Sequence, residues 1–275
     1  MNIPAQPDAR PANLNIAKRQ RRRFASLRSI IALMLREMAT SYGRSPGGYL
    51  WAVLEPAAGI AILTLIFSFA FIGPPIGTSF PMFYATGMVP FLAYSDISNK
   101  VSQSLNFSRP LLAYPSVTFT DAILARFLLN LLTQVLVAYV IFAGLVLLVE
   151  RTSEVNFLNT LRSMGMVAVL SLGIGTLNAF LTTRFHIWQR VWGILMRPMF
   201  ILSCIFFVFD IIPQPYRDYL WYNPLVHVVG MMRSGFYSFY EASYVSETYV
   251  WGVGLSTLLM GMILLSRYHR DLLNN

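Results

Sequence analysis

Apolar runs of roughly 20 residues, the length that crosses a bilayer's hydrocarbon core, recur along this chain between short polar connections. The first covers residues 50–72 and stops at Gly73-Pro74-Pro75. It carries Glu55-Pro56 about a turn inside its start, with Tyr49 and Trp51 suited to the headgroup level. The second covers residues 82–105, and its second half holds Asp96, Asn99, Lys100, Ser102 and Gln103. These cannot all face lipid, so they predict contact with a protein interior, a water-filled path or the cytoplasmic surface. A polar connection over 106–120, with Arg109-Pro110 and Tyr114-Pro115, leads to a third run over 122–149, uncharged from Phe127 onward. Glu150, Arg151 and Glu154 then make a short external loop. The fourth run covers 164–183, where Gly165, Gly173 and Gly175 offer small surfaces for close helix packing. The fifth, 191–212, is interrupted by Arg197-Pro198 and closed by Pro213 and Pro215. The sixth, 249–266, is followed by Arg267, His269 and Arg270.

Three segments depart from this rhythm. Residues 1–17 are polar and carry three prolines, and Lys18–Arg23 is basic, so 1–23 reads as a disordered basic tail. Over 24–41, Leu27, Ile30, Ile31, Met34 and Met38 follow helical spacing on one face, with Ser29, Arg36 and Thr40 opposite. That pattern predicts an amphipathic helix lying along the membrane surface, or an ordinary packing helix. Residues 221–240 are apolar enough for a crossing, yet carry Asn223-Pro224, His227 and Arg233 among many aromatics. They read as short interfacial or re-entrant helices. Their Trp and Tyr side chains either anchor the interface or stack on the apolar faces of sugars.

Composition and charge turn this pattern into a topology. The chain is 56% hydrophobic and 12% charged, with a mean hydropathy of +0.55. Soluble domains carry about 25% charged residues, so so few charges cannot clothe a soluble fold of this composition. Nine of the 21 Lys and Arg lie in residues 1–44. With six crossings and both ends inside, 17 basic residues fall on the cytoplasmic side and four outside: Arg151, Arg162, Arg217 and Arg233. This bias orients the chain and accounts for its +9 net charge better than nucleic-acid binding does. A seventh crossing at 221–240 would put the basic C-terminus outside, against the charge pattern. The expected fold is therefore an all-α membrane protein with six transmembrane helices. An N-terminal amphipathic interface helix precedes them, and short re-entrant periplasmic helices lie between spans 5 and 6. The apolar stretch after the basic run is broken by Arg28, Arg36 and Glu37, which is not the pattern of a cleavable signal peptide.

Candidate chemistry is sparse. The two lysines, Lys18 and Lys100, follow no glycine-rich turn, so a phosphate-binding loop is absent and any ATP must be bound by another chain. His186, His227 and His269 lie in separate segments without the i+4 spacing of a metal site, and the single Cys204 has no intramolecular partner. Glu55 and Asp96 are the only acids expected within the inner half of the spans, fewer than a proton relay usually uses.

Short motifs in a fixed order add a resemblance. They are Leu35-Arg36-Glu37-Met38 with Tyr42-Gly43, Gly48-Tyr49-Leu50-Trp51-Ala52, and Leu54-Glu55-Pro56. Gly87-Met88-Val89-Pro90-Phe91, Tyr114-Pro115-Ser116-Val117 and Asp121 through Ala125-Arg126 follow. Arg197-Pro198, Ser203-Cys204-Ile205, Ile212-Pro213 and Asn223-Pro224-Leu225-Val226-His227 complete the set. Together they resemble the permease subunit of ABC exporters for capsular polysaccharide, a branch of the ABC-2 permeases that also include O-antigen exporters. The resemblance implies an ABC-2 type transmembrane domain over 24–275 and a homodimer. It implies a cytoplasmic ATPase dimer that binds ATP-Mg, a periplasmic co-polymerase or adaptor, and an outer-membrane export protein. The cargo would be an acidic, lipid-linked polysaccharide. On this basis Arg36, Glu37, Tyr42, Asn106, Arg109 and Tyr114 are expected to contact the ATPase. Arg44, Asp96, Lys100, Arg126 and Arg197 would line the substrate path or meet anionic headgroups, with topology or lipid-phosphate pairing as the alternative for each cation. Trp221, Tyr222, Asn223, His227 and Arg233 would form a periplasmic gate. A permease for O-antigen, lipid or drug export, a proton-coupled transporter, and a membrane-embedded glycan-assembly enzyme are the competing classes. The last would need a catalytic constellation that the sequence does not offer.

Overall fold

The computed structural model describes residues 25–41, 48–112, 117–149 and 155–274. The basic tail, Tyr42, Arg44, Tyr114 and the loop residues Glu150, Arg151 and Glu154 lie outside them. The described residues are helical throughout their regular structure, with no strand among them. The helices are α1 (Ala25–Ser41), α2 (Tyr49–Ala70), α3 (Phe80–Ser102), α4 (Ser104–Leu112), α5 (Phe119–Leu148), α6 (Phe157–Arg184), α7 (Trp188–Leu202), α8 (Tyr216–Trp221), α9 (Pro224–Phe236) and α10 (Glu247–Asn274). Four of these, α2, α5, α6 and α10, contain stretches long and apolar enough to cross a membrane. In an apolar solvent a helix satisfies its own backbone, which is why such runs fold this way.

α6 is the centre of the bundle. It packs against α10, α3 and α9, and its buried face includes Met166, Val167, Leu170 and Ala179. Glycines set the closeness of the α6–α10 crossing. A Cβ on Gly173 would overlap the carbonyl oxygen of Gly254, and one on Gly254 would lie 2.9 Å from that of Val169. Gly175 faces Val101 and the Ser98 carbonyl of α3 with the same economy of space, 2.8 and 3.1 Å from its notional Cβ. Gly165 has only an ordinary contact with Trp251, so two of the three glycines singled out in this run hold close contacts.

α3 explains the polar second run. Most of its residues are buried, including Thr86, Ser98 and Ser102, whereas Asp96 and Lys100 are half-buried and Asn99 and Gln103 are exposed. The connection expected to be irregular after it contains α4 instead. Ser104, Leu105 and Ser108 are buried along one side of this helix, and burial of that side supports it despite Pro110 near its end. α6 begins seven residues before the expected start, because Asn156 caps it by accepting from the backbone N–H of Asn159. Arg162, expected in a loop, therefore stands on a helix.

The fifth run is not one helix. α7 ends at Leu202, ten residues short of the expected end, and Cys204 turns the chain at φ 60°. The Ser203 hydroxyl donates to the Met199 carbonyl at 2.5 Å, and the following segment is held by side chains from elsewhere. α9 is 13 residues long and almost wholly buried. At about 1.5 Å per residue it spans roughly 20 Å, short of the ~30 Å core.

Replacing Gly173 by Leu is expected to force α6 and α10 apart, at a cost of about 1–3 kcal/mol or more, while Gly252→Ala, with open space around its Cβ position, leaves stability unchanged or slightly raised. Thermal unfolding of the two variants in detergent, followed by size-exclusion fluorescence, checks this.

Candidate functional site

At one end of the bundle α1 docks on α5 through polar contacts. Thr118 and Asp121 form a reciprocal capping box: the Asp121 N–H donates to the Thr118 hydroxyl at 3.2 Å, and the Thr118 N–H donates to the Asp121 carboxylate at 3.0 Å. The other carboxylate oxygen of Asp121 accepts from the hydroxyl of Ser26 on α1. Three turns further along α1, Glu37 forms an ion pair with Arg126 of α5, with Oε1 3.0 Å from Nε. Both side chains are buried, at 3% and 7% exposure, so this is not a surface bridge. The Arg126 guanidinium lies 4.1 Å from the centroid of the Phe107 ring on α4, and Arg36 approaches the same ring at 5.1 Å. Arg126 Nη1 also donates to the Lys100 carbonyl at 3.0 Å. One guanidinium thus joins α1, α3, α4 and α5. The opposite face of α1 leaves Leu27, Ile31, Leu35 and Met38 exposed, as suits a helix lying against a membrane surface.

Beside this junction, α2, α3 and α5 enclose a cavity of about 470 Å³. Trp51 and Glu55 reach it from α2, Asp96, Asn99 and Lys100 from α3, and Gln134 from α5. Gln134 Nε2 donates to the Asp96 carboxylate at 2.9 Å, which fixes that carboxylate against α5. The cavity offers two carboxylates, one ammonium, two amides and an indole. With the Ser95 hydroxyl also in the wall, this set suits a hydroxyl-rich or mixed-charge ligand.

A second polar cluster lies where α7, α8 and α9 meet. Asn223 caps α9 by accepting from the Leu225 N–H at 3.1 Å, with Pro224 at the first helical position. Its amide nitrogen donates to the Leu202 carbonyl, 3.0 Å away, and so takes up one of the free carbonyls at the end of α7. Arg233 is fully buried without a carboxylate partner. Its Nη1 and Nη2 donate to the carbonyls of Phe207 and Ile205 at 2.8 and 3.0 Å, and its guanidinium sits 4.3 Å from the Phe83 ring centroid. These bonds satisfy the carbonyls that the broken helix leaves unpaired, which a hydrocarbon surrounding could not do. His227 Nδ1 accepts from the Ser246 N–H at 3.2 Å, so Nε2 carries the proton and donates to the Trp221 carbonyl at 2.8 Å. Burial pushes the His227 pKa below its ordinary value, against the opposing pull of backbone groups of Trp221 and Tyr244. Trp221 packs edge-on against His227 at 5.1 Å and donates its indole N–H to the Tyr244 carbonyl at 3.1 Å.

The expected site residues among those described therefore fall into four places. Asp96 and Lys100 share the cavity, and Arg126 lies behind it against the Lys100 backbone. Arg197 is exposed on α7, apart from both. Glu37 is buried and Arg36 half-buried, whereas Asn106 and Arg109 stand exposed on α4. Trp221, Asn223, His227 and Arg233 converge on the corner, and Tyr222 is exposed beside them. Gln134 was not anticipated, although a glutamine inside an otherwise apolar run was a visible signal. Phe107 gave no such signal, since only the fold brings it between two arginines.

A helical bundle whose α2, α5, α6 and α10 are long and apolar enough to cross a membrane, with an amphipathic helix clasped to one end, is the architecture of a multi-pass membrane protein. Residues 28–237 match the family of ABC-2 type transporters, and the chain belongs to that family. It is 36% identical over 237 residues to the polysialic acid transport protein KpsM of Escherichia coli, covering 86% of this chain and 92% of the relative. It is 26% identical over 243 residues to the capsule polysaccharide export inner-membrane protein CtrC of Neisseria meningitidis, covering 88% and 92%. The corresponding protein BexB of Haemophilus influenzae is 24% identical over 247 residues, covering 89% and 92%. The chain is thus a permease component of an ABC-2 type transporter.

Removing one partner of the Glu37–Arg126 pair, as in Glu37→Gln, is expected to cost about 3–5 kcal/mol by stranding the other charge. The double variant Glu37→Leu with Arg126→Met should recover much of that loss. Thermal unfolding of the single and double variants measures both. For the outer corner, Arg233→Met leaves two buried carbonyls unpaired and should lower stability by a further measurable step of roughly 1–3 kcal/mol per carbonyl.

Proposed function

We propose that this chain is the permease subunit of an ATP-driven exporter that moves lipid-linked capsular polysaccharide from the cytoplasm across the bacterial inner membrane. The capsule-export names of the relatives support the cargo class. The observation that carries the reading is the polar cavity of Glu55, Asp96, Lys100 and Gln134, joined through Arg126 to the α1–α4 surface.

In this reading α3, and α7 together with the chain that follows it to Ile212, complete six crossings with α2, α5, α6 and α10. α8 and α9 are re-entrant elements on the periplasmic side, and both termini are cytoplasmic. The 17-to-four distribution of basic residues supports that orientation. Two copies form the permease: α7 contributes no fully buried residue, and the apolar surface of α2 is open, both fit for a second copy. A cytoplasmic ATPase dimer carries ATP-Mg and engages α1 and α4, where Arg36, Asn106 and Arg109 lie. A periplasmic co-polymerase or adaptor and an outer-membrane export protein continue the route.

Mechanistically, movement of α1 is transmitted by the Glu37–Arg126 pair to the carbonyl of Lys100, on the wall of the cavity. Lys100 attracts the anionic, lipid-linked end of the polymer, while Asp96, held by Gln134, and Glu55 accept from sugar hydroxyls. Trp51 offers an apolar face for a sugar ring. At the other end, the Arg233 and Asn223 bonds let the broken α7 end reposition relative to α9 as a gate.

Lys100→Glu is expected to lower export roughly tenfold, the effect of about 1.4 kcal/mol, with folding intact. Cells lacking the gene should accumulate full-length polymer inside; absence of polymer would instead indicate a role in synthesis. Transport in proteoliposomes devoid of the ATPase would overturn the reading in favour of ion coupling.

A further inference from the structure

Two cavities adjoin at the start of α6, and their chemistries are opposite. One is an apolar groove of about 770 Å³ between α5 and α6, floored by Met232 and Phe236 of α9. Along α5 it runs from Leu132 to Val146, about 21 Å at the helical rise. That exceeds the ~15 Å hydrocarbon depth of a single leaflet. Among the described residues, Thr160 and Tyr139 supply its only side-chain oxygens. The other is a polar cleft of about 640 Å³, lined by Asn156, Asn159 and Arg162 of α6, Ser234 of α9, and Tyr240 and Glu241 of the following loop. Val155 belongs to the walls of both.

A groove of this size facing a bilayer is filled, because a void lined by Leu, Val and Phe forfeits the contacts of every wall atom. The filler must be apolar along the groove and polar where it passes Val155. Among the described residues the cleft is lined by one cation, Arg162, and one anion, Glu241, with Glu247 of α10 paired to Arg162 at 3.5 Å. Its charges complement a head group that carries both signs, with amides and hydroxyls left over for ester and glycerol oxygens. We propose that this composite site binds one zwitterionic phospholipid of the phosphatidylethanolamine class. An acyl chain lies in the α5–α6 groove, the phosphate meets Arg162, and the primary ammonium meets Glu241. On the orientation proposed above the lipid belongs to the outer leaflet; only that leaflet assignment rests on the export reading.

Native mass spectrometry of the purified chain with phosphatidylethanolamine, phosphatidylcholine or phosphatidylglycerol tests this. The wild type is expected to retain one phosphatidylethanolamine per protomer after bulk lipid is stripped, with about tenfold preference over the other two. Ala143→Trp, which fills the groove, should abolish retention, and Val146→Phe serves if the first variant does not fold. Glu241→Gln should keep retention but erase the preference for the primary amine. Equal retention of the three lipids by the wild type would mean an annular lipid only and overturn the proposal. Unchanged retention in the filled-groove variants would do the same. So would a loss of oligomers in those variants without loss of lipid, which would assign the groove to a second copy. Export by intact cells is read separately, so failure of lipid retention leaves the transport reading standing, and the reverse.

Discussion

A polar group carried out of water has to find its partner within the protein, and this requirement organises the bundle more than any apolar contact does. Apolar side chains gain little by choosing one another over lipid. Glu37 meets Arg126, Gln134 meets Asp96, and Arg233 meets the Ile205 and Phe207 carbonyls. Each pair joins elements distant in the chain. Together they decide where α1 lies, how α3 faces α5, and where α7 may stop.

The glycine contacts play the complementary part. Gly173, Gly254 and Gly261 let α6 and α10 approach until backbone meets backbone, so the centre of the bundle is rigid. The peripheral elements α1, α2 and α7 contribute few buried residues. A transporter needs such a division, since packed cores switch between discrete arrangements rather than deform. The junction of Arg126 with the Lys100 carbonyl links the peripheral α1 to the cavity wall by a path only a few side chains long.

The outer corner applies the same logic to a broken helix. The Leu202 carbonyl at the end of α7 is taken up by Asn223, and the Ile205 and Phe207 carbonyls just beyond it by Arg233, both residues on or next to α9. An arginine without a carboxylate partner is costly to bury, yet here its planar fork serves two carbonyls and a ring face at once. His227, with its proton fixed on Nε2, ties α8 to the segment before α10 in the same manner.

By itself the sequence determined that this is a helical membrane protein, where most of its long helices run, and that its N-terminal helix is amphipathic. Those properties follow from apolar periodicity and from charges that lipid excludes. The motifs around Arg36-Glu37 and Tyr114-Pro115 also carried the family. What only the tertiary structure decided is which polar groups meet. Nothing local distinguishes Arg126, clasped to Glu37 across the bundle, from Lys100, whose side chain opens to a cavity. Nothing in the run 191–212 announces that its helix stops at Leu202, because the side chains that make the stop possible come from residues 223 and 233. Periodicity records the solvent a residue faces; pairing between distant polar groups is a property of the folded arrangement alone.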